Sequence, residues 1–295
     1  GDYPLVEETS RHLVAAGGKR LRPLLTLIAS HFGDSTRKEI IPAAVVCELT
    51  HLATLYHDDV MDEAPLRRGV ESANNRWGNT IAILTGDYLF SKVSDMLADI
   101  GPEAVKLQAK TFERLVIGQI KETQGKSEGL TQIEHYMKVV ADKTGSLIAT
   151  SARFGALLSG ANAQTVEALT KFGEKIGVAF QVADDLLDVT SDETASGKTP
   201  GTDLKEGVPT LVTLYVIAAN NPDDKDLIAK LNGPISESDL SGVITQLRSH
   251  KALTDVKDYL AKVAKEANDL LVDLPEGSAK EALKSLTFAL VNRSS

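Results

Sequence analysis

Two passages of the chain share one unusual pattern, Asp-Asp-x-x-Asp: Asp58-Asp59-Val60-Met61-Asp62 and Asp184-Asp185-Leu186-Leu187-Asp188. Each closes an apolar, helix-patterned run. Leu49, Leu52, Ala53, Leu55 and Tyr56 lead into the first; Ile176, Val178, Ala179, Phe180, Val182 and Ala183 lead into the second. On a helix the first and third Asp of each pattern stand at i and i+4, where like charges repel by about 0.3 kcal/mol. Asp is also a poor helix former and is disfavoured near a helix C-terminus. A bound cation reverses that balance, because carboxylate oxygens suit Mg²⁺, a hard ion that keeps waters and substrate phosphates in its shell. One such pattern reads equally well as a solvated acidic helix end. Two copies, each on a strongly apolar helix, read as cation sites.

Basic residues narrow the chemistry. Gly17-Gly18-Lys19-Arg20-Leu21-Arg22-Pro23 places three cations after a Gly pair at an expected helix start. Backbone N–H groups there point at an anion, and Arg matches phosphate oxygens in a fork. Arg67-Arg68-Gly69 follows the first Asp cluster, and its adjacent side chains point different ways, so they can serve two different anions. Lys143-Thr144 and Lys198 lie in the second half. Taken alone, Lys19 or Arg67 reads as a surface charge, and Lys143 as a partner of Asp142 or Glu134. His51 stands two helical turns before Asp58, on the face that leads to the carboxylates; a lone His on such a face is otherwise a satisfied interior residue.

These residues need long helices to position them. Leu253, Val256, Leu260, Val263, Ala267, Leu270 and Leu271 step at helical intervals, and Leu147, Ile148, Phe154, Leu157 and Leu158 follow a similar rhythm. No period-two run with turn chemistry at both ends is present, so no strand is expected. Breaks fall at Gly17-Gly18, Gly33-Asp34, Pro65 to Gly69, Gly101-Pro102, Gly125 to Gly129, Gly160, Ser196 to Gly201, Gly207 to Pro209 and Pro222. The pattern predicts an all-α fold: one domain over 1–295, a bundle of long antiparallel helices around a central cavity.

Composition agrees. Hydrophobic residues make up 42% of the 295, enough for a globular core. A net charge of -9 argues against non-specific nucleic-acid binding, which needs a basic face. Cys47 is the only cysteine, so no intrachain disulfide forms. No uncharged apolar stretch reaches the roughly 18 residues of a spanning helix; the longest uncharged run, Gly207 to Pro222, carries two Pro, two Asn and a Gly. With no signal-peptide pattern visible, a cytoplasmic location is the expectation.

In order and spacing the motifs resemble the trans-isoprenyl diphosphate synthase family over nearly the whole chain. They run Gly17 to Pro23, Glu48-x-x-His51, Leu55-x-x-Asp58-Asp59-x-x-Asp62, Arg67-Arg68-Gly69, Gly86-Asp87-Tyr88-Leu89, Lys143-Thr144, Phe180-Gln181-x-x-Asp184-Asp185-x-x-Asp188, Gly197-Lys198 and Asp203-Leu204-x-x-Gly207. The resemblance implies long helices around a deep cavity, a homodimer, and condensation of isopentenyl diphosphate with an allylic diphosphate into a linear all-trans polyprenyl diphosphate. It implies three Mg²⁺ ions with substrate bound, held directly by Asp58, Asp62 and Asp184, with Asp59, Asp185 and Asp188 in support. Arg67, Lys143 and Lys198 would hold the allylic diphosphate; Lys19, Arg22, His51 and Arg68 would hold isopentenyl diphosphate; Thr144 and Gln181 would line the region where the cation forms. Neutralising the leaving diphosphate lets the allylic C–O bond ionise. Attack by the isopentenyl double bond follows, with the released diphosphate as base. No Ser, Cys or His nucleophile is needed. One departure is Val208, where many members carry Lys after the Gly; Lys205 is the candidate replacement.

By the same resemblance the gate on product length lies at Thr54 and Ala53, the fourth and fifth residues before Asp58. Short-chain members place a bulky aromatic there. Ala53, Thr54, Thr50 and Cys47 are small, so a tail longer than farnesyl is expected: geranylgeranyl at least, and within the hexaprenyl to decaprenyl range, with a floor near Leu89, Phe90 or Val93. The other reading of Ala53 is a close helix–helix contact. Two rivals remain. A class I terpene cyclase normally mixes Asn, Ser or Thr and Glu in its second metal motif and needs no isopentenyl site. A non-catalytic subunit of a heteromeric synthase tends to lose its Asp motifs, and both are intact here.

Overall fold

The structure is a computed structural model that describes residues 3–191 and 200–292. Helices dominate it: α1 (Pro4–Ala15), α2 (Leu21–Ser30), α3 (Ile40–Met61), α4 (Ala73–Trp77), α5 (Asn79–Ile100), α6 (Pro102–Gln124), α7 (Gln132–Val140), α8 (Ser146–Leu158) and α9 (Ala163–Thr190). The helices Thr202–Glu206, Leu211–Ala219, Lys225–Leu231, Glu237–Ser249, Lys251–Asp269 and Ser278–Asn292 follow.

Their ends have local causes. Pro4 and Pro102 start α1 and α6, where a missing N–H costs nothing. Thr131 opens α7 with a capping box: its hydroxyl accepts from Glu134 N–H at 3.1 Å, and the Glu134 carboxylate accepts from Thr131 N–H at 2.8 Å. The stripe read at Leu253 to Leu271 is buried over Lys251–Asp269, but that helix stops at Asp269, so Leu270 and Leu271 belong to the turn beyond it.

The expectation of no strand is corrected at one place. β1 (Leu66–Arg67) and β2 (Val70–Glu71) pair antiparallel. Arg68 and Gly69 turn the corner at φ 54° and 78°, both left-handed, as a tight hairpin requires. Two residues per strand are too few for alternation to register in the sequence.

Contacts group the chain into two compact units. One takes Gly1–Phe112 and Thr150–Thr170; the other takes Glu113–Ala149 and Lys171–Ser295. In the first, α3 and α5 run antiparallel: Leu52 and Ala53 share a buried cluster with Leu89, whereas Ala43, Val46 and Cys47 share one with Val93 and Leu97. In the second, Val178 to Val189 of α9 pack with Leu211–Ala219 and with Val256, Leu260 and Val263. Fully burying each such aliphatic side chain contributes roughly 1.5–3 kcal/mol.

α3 is the one described helix that bears on the membrane reading. On length and composition it is apolar enough to cross a membrane, a feature that a count of charge-free residues misses because Glu48, Asp58 and Asp59 interrupt it. Half of its most apolar window is buried inside the protein.

Candidate active site

The first Asp cluster occupies the last turn of α3. Asp58 is half-buried, Asp59 is fully buried, and Asp62 caps the helix in the open, its N–H donating to Asp58 C=O at 2.8 Å. Arg67, on β1, donates Nε–H to Asp59 Oδ1 at 2.6 Å. Asp59 Oδ2 is buried without a partner. Burial pushes the Asp59 carboxyl up, and the Arg67 guanidinium only partly offsets this. An orphaned carboxylate oxygen is unfavourable in a dry site; beside two further carboxylates it fits a cluster made for a cation. Among the described residues no three His, Cys, Asp or Glu side chains converge to chelate an ion alone. Mg²⁺ does not require that, since one or two carboxylates plus substrate phosphates complete its shell.

Above this cluster the same unit gathers its arginines. Burial first, and then the Arg22, Arg68, Arg67 and Arg20 charges, hold His51 well below its ordinary range, which favours the neutral ring. Arg20 pairs with Glu48 and donates to Val14 C=O at 2.7 Å. Arg22 is half-buried, its Nε has no partner, and burial pushes it down to about 10 despite Glu48. Arg68 donates to Leu13 C=O at 2.8 Å and to Gly17 C=O. Arg20 and Arg68 both hold left-handed backbone, φ 51° and 54°, a costly conformation that clusters at functional sites. Arg67 and Arg68 do point to different partners. Lys19 is exposed on the loop before α2.

The second cluster lies near the end of α9, in the other unit. Asp185 is buried and is held by neutral donors: Tyr136 O–H at 2.5 Å to Oδ2 and Gln181 Nε2–H at 2.9 Å to Oδ1. Thr144 donates to Gln181 Oε1 at 3.2 Å, which fixes the orientation of that amide. Burial pushes Asp185 up to about 6, against both hydrogen bonds. Asp188 accepts N–H bonds from Thr202 and Asp203 at 3.1 Å each, tying the helix Thr202–Glu206 to α9. Burial, then Asp188, Asp185 and Asp184, push Asp203 up to about 8. Tyr136 was not singled out in the sequence. Its signal is a tyrosine on a buried helix face, whose O–H needs a partner.

Lys143 and Thr144 sit in one wide π turn, Ala141–Gly145, between α7 and α8. Such single turns recur at functional sites. Lys143 pairs with Glu122, rather than with Asp142 or Glu134. Asp142 is taken by Arg114 at 3.1 Å and Lys121 at 2.8 Å, and Arg114 also holds Glu174 at 2.7 Å. A Cβ at Gly118 would stand 2.5 Å from Lys143 N, so α6 seats directly on the turn. Lys198 and Gly197 lie outside the described residues. Lys205 pairs with Glu237 at 2.6 Å, and Val208 is exposed.

The residues expected to set product length line the interior of α3. Cys47, Thr50 and Ala53 are fully buried; Thr54 is half-buried, with its hydroxyl on His51 C=O at 2.8 Å. Thr50 Oγ1 accepts from Gln108 Nε2–H of α6 at 2.8 Å, a partner the sequence did not reveal. Leu89 packs with Ala53, Val93 with Cys47, and Phe90 lies against Phe112 with ring centroids 4.6 Å apart.

The chain is similar to known proteins over its length. The pattern of the polyprenyl synthetase family matches residues 3–250. A nonaprenyl diphosphate synthase of Mycobacterium tuberculosis is 46% identical over 98% of this chain and 87% of its own. Component 2 of a heptaprenyl diphosphate synthase of Bacillus subtilis is 35% identical over 97% and 82%. Among solved structures, a geranylgeranyl pyrophosphate synthase of Corynebacterium glutamicum, complexed with calcium and isoprenyl diphosphate, superposes with a TM-score of 0.88. It is 41% identical over 99% of this chain and 90% of its own.

Proposed function

We propose a mechanism from one premise: the chain belongs to the polyprenyl synthetase family. It is a prenyltransferase that condenses isopentenyl diphosphate with an allylic diphosphate into a linear polyprenyl diphosphate. The observation that carries the two-diphosphate reading is the gathering of Arg20, Arg22, Arg67 and Arg68 in the unit that holds Asp58, with Arg67 turned to Asp59, Arg68 turned to the Leu13 and Gly17 carbonyls, and Arg22 Nε buried without a partner. A cyclase, with one diphosphate to bind, has no use for it.

The reaction uses a divalent cation, and Mg²⁺ is the ion proposed, three per loaded site; the calcium-bound relative supports the class of ion. When bound, Mg²⁺ would stabilise charge on the departing diphosphate. Asp58, Asp62 and Asp184 would hold it. Asp59, Asp185 and Asp188 would support them, in keeping with Asp59 on Arg67, Asp185 on Tyr136 and Gln181, and Asp188 on the 202–203 amides. Arg67 and Lys143, with Lys198, would hold the allylic diphosphate, and Lys19, Arg22, His51 and Arg68 the isopentenyl one. A neutral His51 offers one N–H donor to a phosphate oxygen without adding charge. Thr144 and Gln181, joined to each other at 3.2 Å, would line the region where positive charge develops on the allylic group.

A homodimer is part of the proposal. Val116, Ile117 and Ile120 on α6 are exposed apolar side chains that a second copy would cover. A single domain and a cytoplasmic location belong to the same reading.

Product length is proposed as geranylgeranyl or longer, in the hexaprenyl to decaprenyl range, because Ala53, Thr54 and Thr50 are small. The test incubates the chain alone with Mg²⁺, isopentenyl diphosphate and each allylic starter, then sizes the dephosphorylated products of wild type and Ala53→Phe. A ladder passing four units that Ala53→Phe shortens is expected. A wild-type stop at three units sinks the length reading; no incorporation brings the partner-subunit reading forward.

A further inference from the structure

The Gly86-Asp87 motif has no assigned part in the chemistry, yet the structure gives it one neighbour. His57 immediately precedes Asp58, and one side of its ring lies against a stripe of α5: Ile83, Gly86, Asp87 and Phe90, spaced i, i+3, i+4 and i+7. His57 Nε2–H donates to Ile83 C=O at 3.1 Å, and the same nitrogen lies 3.4 Å from Asp87 Oδ1. The Phe90 ring flanks it with centroids 5.8 Å apart. A Cβ at Gly86 would stand 2.4 Å from His57 Nε2 and 3.1 Å from Ala53 C=O, so only glycine lets the backbone of α5 close on the imidazole and on α3 together.

His57 sits one position before the first carboxylate of the cluster, where α3 would otherwise fray. The neighbouring Asp59 is fastened on a separate side of the helix, by Arg67 of the hairpin. The last turn of α3 is thus held from two directions, and Asp58 lies between the two fastenings. We propose that His57 is a positioning residue: clasped by Gly86 and Asp87, it fixes the end of α3 so that Asp58 meets the cation in one orientation. This rests on the reading that Asp58 holds the metal.

The test measures Mn²⁺ binding by electron paramagnetic resonance, in the presence of inorganic diphosphate and without turnover. His57→Leu keeps the volume and loses the donor; its Mn²⁺ dissociation constant should rise about 10-fold, the usual effect of losing a group that orients a metal ligand. His57→Gln, whose amide N–H reaches as far as Nε2, should recover most of that loss. The KM for isopentenyl diphosphate should stay where it is in both. Wild-type Mn²⁺ affinity in a folded His57→Leu overturns the proposal, and so does an equal loss in His57→Leu and His57→Gln, which would make the ring mere packing. If His57→Leu does not fold, Asp87→Asn carries the test, since its side chain is exposed and tolerates change: weakened Mn²⁺ binding is expected, and none overturns the proposal. Asp58→Asn separates the two readings. Undiminished Mn²⁺ binding there removes the metal assignment itself, whereas loss there beside a wild-type His57→Leu removes only the positioning role.

Discussion

The two Asp clusters have one sequence pattern and two different supports. In the first, the buried middle carboxylate, Asp59, meets a guanidinium, Arg67 at 2.6 Å. In the second, the buried middle carboxylate, Asp185, meets a phenol and an amide. Burial raises the proton affinity of both; a guanidinium offsets part of that rise at Asp59 with a counter-charge, whereas the phenol and amide at Asp185 oppose it by hydrogen bonding alone. Burial is the largest cause in both: it pushes Asp185 up to about 6 and, with the charges of Asp188, Asp185 and Asp184 added, the adjoining Asp203 up to about 8. Identical motifs thus have unlike supports: the buried carboxylate of one has a counter-charge of its own, and that of the other has none.

The largest expected effect tests what the clusters share. Asp58→Ala and Asp184→Ala should each lower turnover on the order of 10³-fold, the scale of losing a preorganised electrostatic group, with the far-UV circular dichroism unchanged. Near-wild-type activity in either removes that cluster from the metal assignment.

A smaller effect tests how they differ. Arg67→Ala leaves Asp59 buried without its counter-charge and should cost about 3 kcal/mol of stability. Tyr136→Phe removes one of two donors to Asp185 and should cost about 1.5 kcal/mol. Urea unfolding with an unchanged m-value measures both. Equal losses would mean that the guanidinium matters no more than a phenol, and the contrast would fall.

The smallest effect sharpens the contrast through pH. Asp185 and Asp203 bind protons more tightly in the folded chain than at the unfolded value of 3.8. Folding therefore takes up protons, and the stability these groups contribute is complete below about pH 4. It is lost as pH rises through about 6 for Asp185 and about 8 for Asp203. Metal-free protein should lose stability across that window, and Asp203→Asn should remove the upper part of the slope. Mg²⁺ needs the deprotonated carboxylates, so its binding should release protons near pH 6, seen as a buffer-dependent heat in calorimetry. An identical slope in wild type and Asp203→Asn would remove Asp203 as its source.

Much of this was legible in the residues. Helical periodicity marks the stripe of Lys251–Asp269, glycine and proline mark the ends of α1, α5 and α8, and the Asp and Arg motifs mark the chemistry. Periodicity is a local property, so it survives in one dimension. The hairpin at Leu66–Glu71 did not show, because two-residue strands carry no period. The partners did not show either. Tyr136 with Asp185, Glu122 with Lys143, Gln108 with Thr50 and His57 with the α5 stripe are separated by tens of residues, and only packing brings them together.

The sequence by itself determined the helical class, the two carboxylate clusters and the cations that suit diphosphate, since those follow from residue type and spacing. Tertiary structure alone decided which carboxylate is dry, which cation answers it and which proton affinities rise. Burial and the distance between charges set those terms, and neither is a property of any residue alone.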